Sequence, residues 1–223
     1  MHQRKGKNIL VYFFLLIIIS SINNISFINL EFGKIQNINV SGLNTDENKS
    51  IIKEIKNINL GNIFFINEGK INRLISSSSL IENFQVKKKY PNTIEFKLEK
   101  TKYLAKINKN GKSFIIGSNG KLLSNNHEKI NLPFIFGNPK ISEFLNFKEI
   151  LDKSKFSYQQ VEKLYFFPSK RWDLRLKQNI LIKLSKNQTV DSLNNLYEFL
   201  ENYSTENFTL VDARINNQII LNE

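Results

Sequence analysis

Cysteine is absent from this sequence, and histidine is nearly so. Without cysteine the chain has no disulfide bonds, zinc–thiolate sites, iron–sulfur clusters or thiol nucleophiles. The two histidines, His2 and His127, are too few for a multi-histidine metal or catalytic site, and His127 lies in a polar stretch typical of a loop. We therefore expect no metal ion and no cofactor.

The chain also lacks the familiar catalytic motifs. The glycine patterns of dinucleotide-binding and P-loop proteins do not occur, and neither do Gly-x-Ser-x-Gly or His-Glu-x-x-His. The carboxylates are scattered, and the pair Asp46–Glu47 falls where the start of a helix explains it. These absences favour a protein that is not an enzyme and that has no small-molecule substrate.

Positive charge is in excess but is spread thinly along the chain. Lysine and arginine number 32 against 20 acidic residues, for a net charge of +12. Residues 34–102 and residues 103–223 each carry an excess of +5. The run Lys87–Lys89 alternates across a predicted strand and indicates a solvated edge. Because nucleic-acid binding needs a concentrated basic stripe, we expect no nucleic-acid partner.

The first thirty residues favour a membrane anchor. Three basic residues precede an unbroken apolar run from Ile9 to Ile19, and no charge occurs from Asn8 to Leu30. A helix of this region would span about 30 Å, the thickness of a bilayer core. We expect a cytoplasmic tail at 1–8 and an uncleaved transmembrane anchor at 9–30. A cleaved signal peptide, disfavoured because alanine is absent before Ala105, and a buried core helix are the alternatives.

Residues 34–102 predict a small α+β domain. A strand at Ile35–Val40 precedes two helices, the first capped by Thr45 or Asp46 and the second by Asn67. Two further strands follow, with apolar and charged residues alternating in the second, at 81–90 and 93–99. This order indicates two helices packed on a three-stranded sheet.

Residues 103–223 predict a strand-rich domain with a few helices. Asn110-Gly111 and Asn119-Gly120 are typical hairpin turns between short apolar strands. Apolar residues at helical spacing indicate helices near 144–151 and 190–200, the second capped by Thr189. Strands are expected at 132–136, 164–167, 172–176, 180–184, 209–211 and 218–221.

Four segments, taken in order, resemble one protein family. They are Val86–Ile94 with its Tyr-Pro-Asn-Thr run, Leu132-Pro133 followed by Gly137, Arg171–Leu176 followed by Ile180–Leu184, and Val211–Arg214 with Gln218–Leu221. Together they resemble the bacterial cell-division family FtsQ/DivIB, and its Gram-negative FtsQ branch in particular. Some positions depart from the family pattern, for example Ala213, which stands where a leucine is usual.

The resemblance implies a complete domain plan and a function. It implies an α+β protein with a single N-terminal transmembrane helix, a POTRA (polypeptide-transport-associated) domain at 34–102 and an FtsQ-type β domain at 103–223. The protein would be a non-enzymatic division scaffold in the inner membrane at the septum, with its N-terminus in the cytoplasm and its domains in the periplasm. The implied partners are FtsB- and FtsL-like membrane proteins and, through them, the septal peptidoglycan synthase.

The resemblance also implies a mode of attachment, namely β-strand addition at the edge of the last strand. By motif position the partner-binding residues would be Arg214, Ile215, Asn216, Asn217, Gln218, Ile219, Ile220 and Leu221. Arg171 and Trp172 would lie on the neighbouring strand, with Arg171 suited to pair a carboxylate of the partner. Trp172 can equally be interpreted as an aromatic residue of the core. Arg214 can equally be interpreted as holding Asp212 or Asp173 within the fold.

One other class of protein uses POTRA domains, the components of outer-membrane assembly and secretion systems. Those proteins carry tandem POTRA units and a transmembrane barrel, whereas here one predicted unit is followed by strands too short for a membrane barrel. Localisation separates the two interpretations, because a division protein accumulates at mid-cell.

Overall fold

The structure, a computed structural model, describes residues 3–22, 33–124, 130–202, 208–215 and 218–222, with side chains described in all of these except 3–7 and 21–22. His2, His127, Asn216 and Asn217 lie outside the described residues. The chain divides into two compact units. One comprises residues 1–74 with 84–98, and the other comprises residues 75–83 with 99–223.

The N-terminal helix α1, Gln3–Ile22, is present, but the prediction of a transmembrane helix is wrong. Among the described residues, no helix combines the length and the apolar character that crossing a bilayer requires. The apolar run from Ile9 to Ile19 is too short. At about 1.5 Å per residue it is about 16 Å long, which is about half the thickness of a bilayer core. Basic residues precede this run, and Ser20 and Ser21 follow it.

The first sheet has three strands, and two helices lie between its first two strands in the sequence. Its elements are β1 Asn37–Ser41, α2 Thr45–Asn57, a 3₁₀ turn Ile63–Phe65, α3 Glu68–Ser77, β2 Ile81–Lys89 and β3 Thr93–Lys100. The strand order is β1-β3-β2, and β1 runs parallel to β3. This matches the predicted POTRA layout of two helices and three strands.

The ends of α2 and α3 show how local sequence sets this layout. Asn44, not Thr45 or Asp46, caps α2, because its side chain accepts a hydrogen bond from the Glu47 backbone while Glu47 bonds back to Asn44. Asn67 caps α3 as predicted, accepting a hydrogen bond from the Lys70 backbone at 3.1 Å.

The second sheet has nine strands. Its elements are β4 Tyr103–Lys109, β5 Lys112–Gly117, β6 Leu122–Ser124, β7 Phe134–Phe136, α4 Ile141–Lys153, a 3₁₀ turn Tyr158–Gln160, β8 Val161–Phe166, β9 Trp172–Leu176, β10 Leu181–Leu184, α5 Val190–Asn202, β11 Leu210–Ala213 and β12 Ile220–Asn222. The strand order is β12-β11-β10-β9-β8-β7-β4-β5-β6. Three pairs are parallel, β4 with β7, β7 with β8 and β10 with β11.

One face of the nine-stranded sheet carries the hydrophobic core. Along β9, β10 and β11, the cross-strand neighbours Leu174, Ile182 and Val211 are all fully buried. The apolar faces of α4 and α5 belong to the same cluster. Because side chains alternate along a strand, the strand residues next to Leu174, Ile182 and Val211 point to the opposite face of the sheet. Most of these residues are charged.

Candidate partner-binding edge

Strand β12 ends the nine-stranded sheet on one side. It pairs antiparallel with β11 through Leu210–Asn222, Val211–Leu221 and Asp212–Ile220, and no described strand pairs with its outer side. Its side chains are exposed, at 56% for Ile220 and 38% for Leu221. An exposed edge with apolar side chains is a template for pairing with another chain.

The backbone geometry shows which groups of β12 face outward. The Leu181 N–H donates to the Thr209 carbonyl at 2.9 Å, so Thr209 and, by alternation, Val211 direct their backbone groups toward β10. Leu210 and Asp212 therefore bond to β12, where their partners are Asn222 and Ile220. Leu221 lies between these two and directs its N–H and C=O away from β11, toward an incoming strand.

The segment before β12 is held close to β11. The Arg214 guanidinium is fixed on Asp212, with Nε 2.8 and 2.9 Å from the two carboxylate oxygens. Ile215 is exposed, and its carbonyl accepts a hydrogen bond from the Gln218 backbone. Ile219 packs partly against the core cluster. Arg214 therefore has the internal role that the sequence left open, and half of its side chain remains exposed.

A row of charged residues leads to this edge across the sheet face opposite the hydrophobic core. In register across β9, β10 and β11 lie Asp173, Lys183 and Asp212, and Ile220 of β12 follows them. Arg171 pairs with Asp173 through Nε and Nη2, at 3.0 and 3.2 Å, as Arg214 does with Asp212. We call these five charged residues the charge row.

Arg171 and Trp172 were expected on the strand next to β12. They do not lie there, because β10 and β11 stand between β12 and β9. Trp172 is only 7% exposed, and its indole stacks on Phe147 at 5.0 Å and also contacts Phe166. The core interpretation accounts for this position. Arg171 lies over the Phe167 ring at 4.2 Å while it pairs Asp173.

The two carboxylates of the charge row should respond to acid in opposite ways. Burial raises the pKa of Asp173 above its ordinary 3.8, although Arg171 opposes this shift. The hydrogen bond from Arg214 lowers the pKa of Asp212. As the pH falls, protonation of Asp173, whose pKa is raised in the folded protein, therefore increases the free energy of unfolding. The contribution of Asp212 is instead lost as the pH falls from its ordinary pKa through its lowered pKa.

We therefore predict opposite effects of two isosteric substitutions. As the pH falls from about 6 to about 3, Asp212→Asn should gain stability relative to the native chain, and Asp173→Asn should lose it. Urea unfolding midpoints of the three proteins at stepped pH values check this. Shifts of the same sign for both variants would contradict the assignment.

Two family models match the chain. Residues 33–100 match the POTRA domain, FtsQ-type. Residues 105–214 match the C-terminal domain of cell division protein FtsQ/DivIB. Together they cover most of the chain, including β11 and all five residues of the charge row. The fold and the matches define a protein of the POTRA-containing cell-division class. The chain belongs to the FtsQ/DivIB family of cell division proteins.

Relatives carry the same family names. The chain is 24% identical to cell division protein FtsQ of Rickettsia conorii over 204 residues, covering 83% of this chain and 70% of that protein. It is 32% identical to cell division protein DivIB of Clostridium acetobutylicum over 96 residues, which are 43% of this chain and 39% of that protein. The solved extracytoplasmic domain of DivIB from Geobacillus stearothermophilus aligns with 48% of this chain and 99% of that chain, at 13% identity. Its TM-score of 0.34 is too low to define a shared fold.

Proposed function

We propose that this chain is a non-enzymatic scaffold of the division septum that captures a partner by β-strand addition at β12. The partner is an FtsB-like protein that arrives with an FtsL-like protein and, through them, connects to the septal peptidoglycan synthase. The POTRA domain at 34–102 and the β domain at 103–223 act outside the cytoplasm. Membership in a family of cell division proteins supports the site of action.

The observation that carries the proposal is the outward orientation of Leu221. Its backbone N–H and C=O face away from β11, and its strand is the last of the nine-stranded sheet among the described residues. A partner strand that binds there gains main-chain hydrogen bonds without breaking any in this chain. Side chains on either side of the ladder then supply specificity.

The charge row would supply part of that specificity. Arg214 is half exposed beside the edge, and Asp212 holds its guanidinium in a fixed orientation. An acidic side chain that the partner places over the charge row would meet Arg214 first. Arg171 lies farther from the edge, so its contribution requires a partner segment that continues beyond the added strand.

Affinity capture of the tagged full chain from its own membranes, followed by mass spectrometry, tests the proposed function. We expect single-pass FtsB- and FtsL-like proteins together with a peptidoglycan synthase. A fluorescent fusion should accumulate at mid-cell. Outer-membrane barrel proteins or lipoproteins as the main partners, with uniform envelope labelling, would contradict the proposal and favour an assembly or secretion component.

A further inference from the structure

The unit formed by residues 1–74 and 84–98 exposes a cluster of three large aromatic side chains far from β12 in sequence. Phe65 is 85% exposed, Tyr90 is 60% exposed and Phe64 is 45% exposed. The rings of Phe64 and Tyr90 stack at 5.2 Å with an angle of 24° between their planes. We call these three residues the aromatic patch.

A turn in the backbone produces the patch. Ile63 is fully buried, and its N–H donates to the Gly33 carbonyl at 2.7 Å. The Asn62 side chain then accepts a hydrogen bond from the Phe64 backbone, and the 3₁₀ turn Ile63–Phe65 directs both phenylalanine rings outward. The exposure is therefore built into the fold and is not the result of a frayed end.

Gly33 lies against the aromatic patch. It has a positive φ of 80°, and a Cβ at this position would lie 2.7 Å from the Phe64 ring. Helix α1 of the same unit exposes every side chain from Ile9 to Ile19. This unit therefore exposes apolar side chains both on α1 and in the aromatic patch.

Exposed lysines lie close in sequence to members of the patch. Lys88 is exposed and precedes Tyr90 by two residues, and the exposed Lys34 follows Gly33 and forms a β-bridge with Asn62. Lys89 is paired with Glu95 at 2.7 Å. Aromatic rings beside lysines are the composition of a surface that rests in the headgroup region of an anionic bilayer, where rings enter the interface and lysines meet lipid phosphates.

We propose that the aromatic patch docks this unit on an anionic lipid surface. Phe65 enters the headgroup and upper acyl region, to a depth of about 5–10 Å. Lys34 and Lys88 strengthen the contact electrostatically. The function is distinct from strand addition at β12 and stands or falls without it.

The absence of cysteine makes the test direct. A single Phe65→Cys change in the full chain is labelled with an environment-sensitive fluorophore. Vesicles of phosphatidylglycerol and phosphatidylcholine, with a spin label near the lipid headgroup, are added. The matched control is Lys53→Cys, an exposed position on α2 of the same unit. The readout is specific to each labelled position and so reports on the patch itself.

We expect a blue shift and quenching at position 65 and neither at position 53. Both signals should fall in about 1 M salt, where the Debye length shrinks to about 3 Å, and in the chain that also carries Lys34→Ala and Lys88→Ala. Equal quenching at positions 65 and 53, or none at 65, would overturn the proposal. So would a signal at position 65 that appears only when a partner protein is added.

Discussion

Replacing Leu221 by proline is expected to weaken capture of the FtsB-like partner at least about tenfold, because it removes the outward donor of the edge strand. The N–H that proline lacks faces away from β11, so the pairing of β11 with β12 keeps its hydrogen bonds. The proline ring also obstructs the approach of an added strand. Co-purification of the partner with the tagged variant measures the effect.

Leu221→Ala is the matched control for this prediction. It removes a side chain that is 38% exposed but keeps the backbone N–H. If main-chain pairing holds the partner, alanine should reduce capture much less than proline does. Ile219→Pro is a weaker test because Ile219 precedes β12 and packs partly against the core. Equal capture by the native chain and Leu221→Pro, with both folded, would exclude strand addition at this edge.

Replacing Trp172 by alanine should destabilise the β domain by about 3–5 kcal/mol, because it removes a buried ring and leaves a cavity. The indole stacks on Phe147 and contacts Phe144 and Phe166, within the cluster that α4 shares with the sheet. Urea unfolding of the native chain and the variant gives the difference in the free energy of unfolding.

Trp172→Phe separates a core role from a direct contact with the partner. Phenylalanine keeps part of the stacking on Phe147, so the loss of stability should be clearly smaller than with alanine. With Trp172 only 7% exposed, partner capture by the folded Trp172→Phe protein should stay near the native level. Full stability of this variant with lost capture would show that the indole contacts the partner.

Local chemistry made much of the fold predictable. Asn110 and Gly111 have φ of 50° and 74°, the positive values that a tight hairpin turn between β4 and β5 requires. Thr189 caps α5 through a hydrogen bond from the Ser192 backbone, as its position predicted. These features depend on a few neighbouring residues, so the sequence pattern contains the necessary information.

The order of strands in the nine-stranded sheet depended on distant contacts. The strands from β8 to β10 follow one another in space, but β7 joins β4 to β8 through two parallel pairs. Such pairing is set by packing between segments far apart in sequence, which periodicity does not encode. For the same reason Arg171 was expected one strand from the edge and lies three strands from it.

The candidate site combined both kinds of information. The motif Val211–Arg214 placed Arg214 beside Asp212, two residues away, and the structure pairs them. The charge row could not be anticipated, because Asp173, Lys183 and Asp212 meet only through the register of three strands. The signal that would have found it is a charged residue inside each of these three short, otherwise largely apolar strands.

Hydrogen exchange at two neighbouring backbone amides tests strand addition most directly. In the free chain the Leu221 N–H faces solvent, whereas the Ile220 N–H bonds to β11 and provides an internal reference. On binding the FtsB-like partner, the Leu221 amide should become protected while the Ile220 amide changes little. A complex in which Leu221 continues to exchange as fast as in the free chain would contradict β-strand addition at β12.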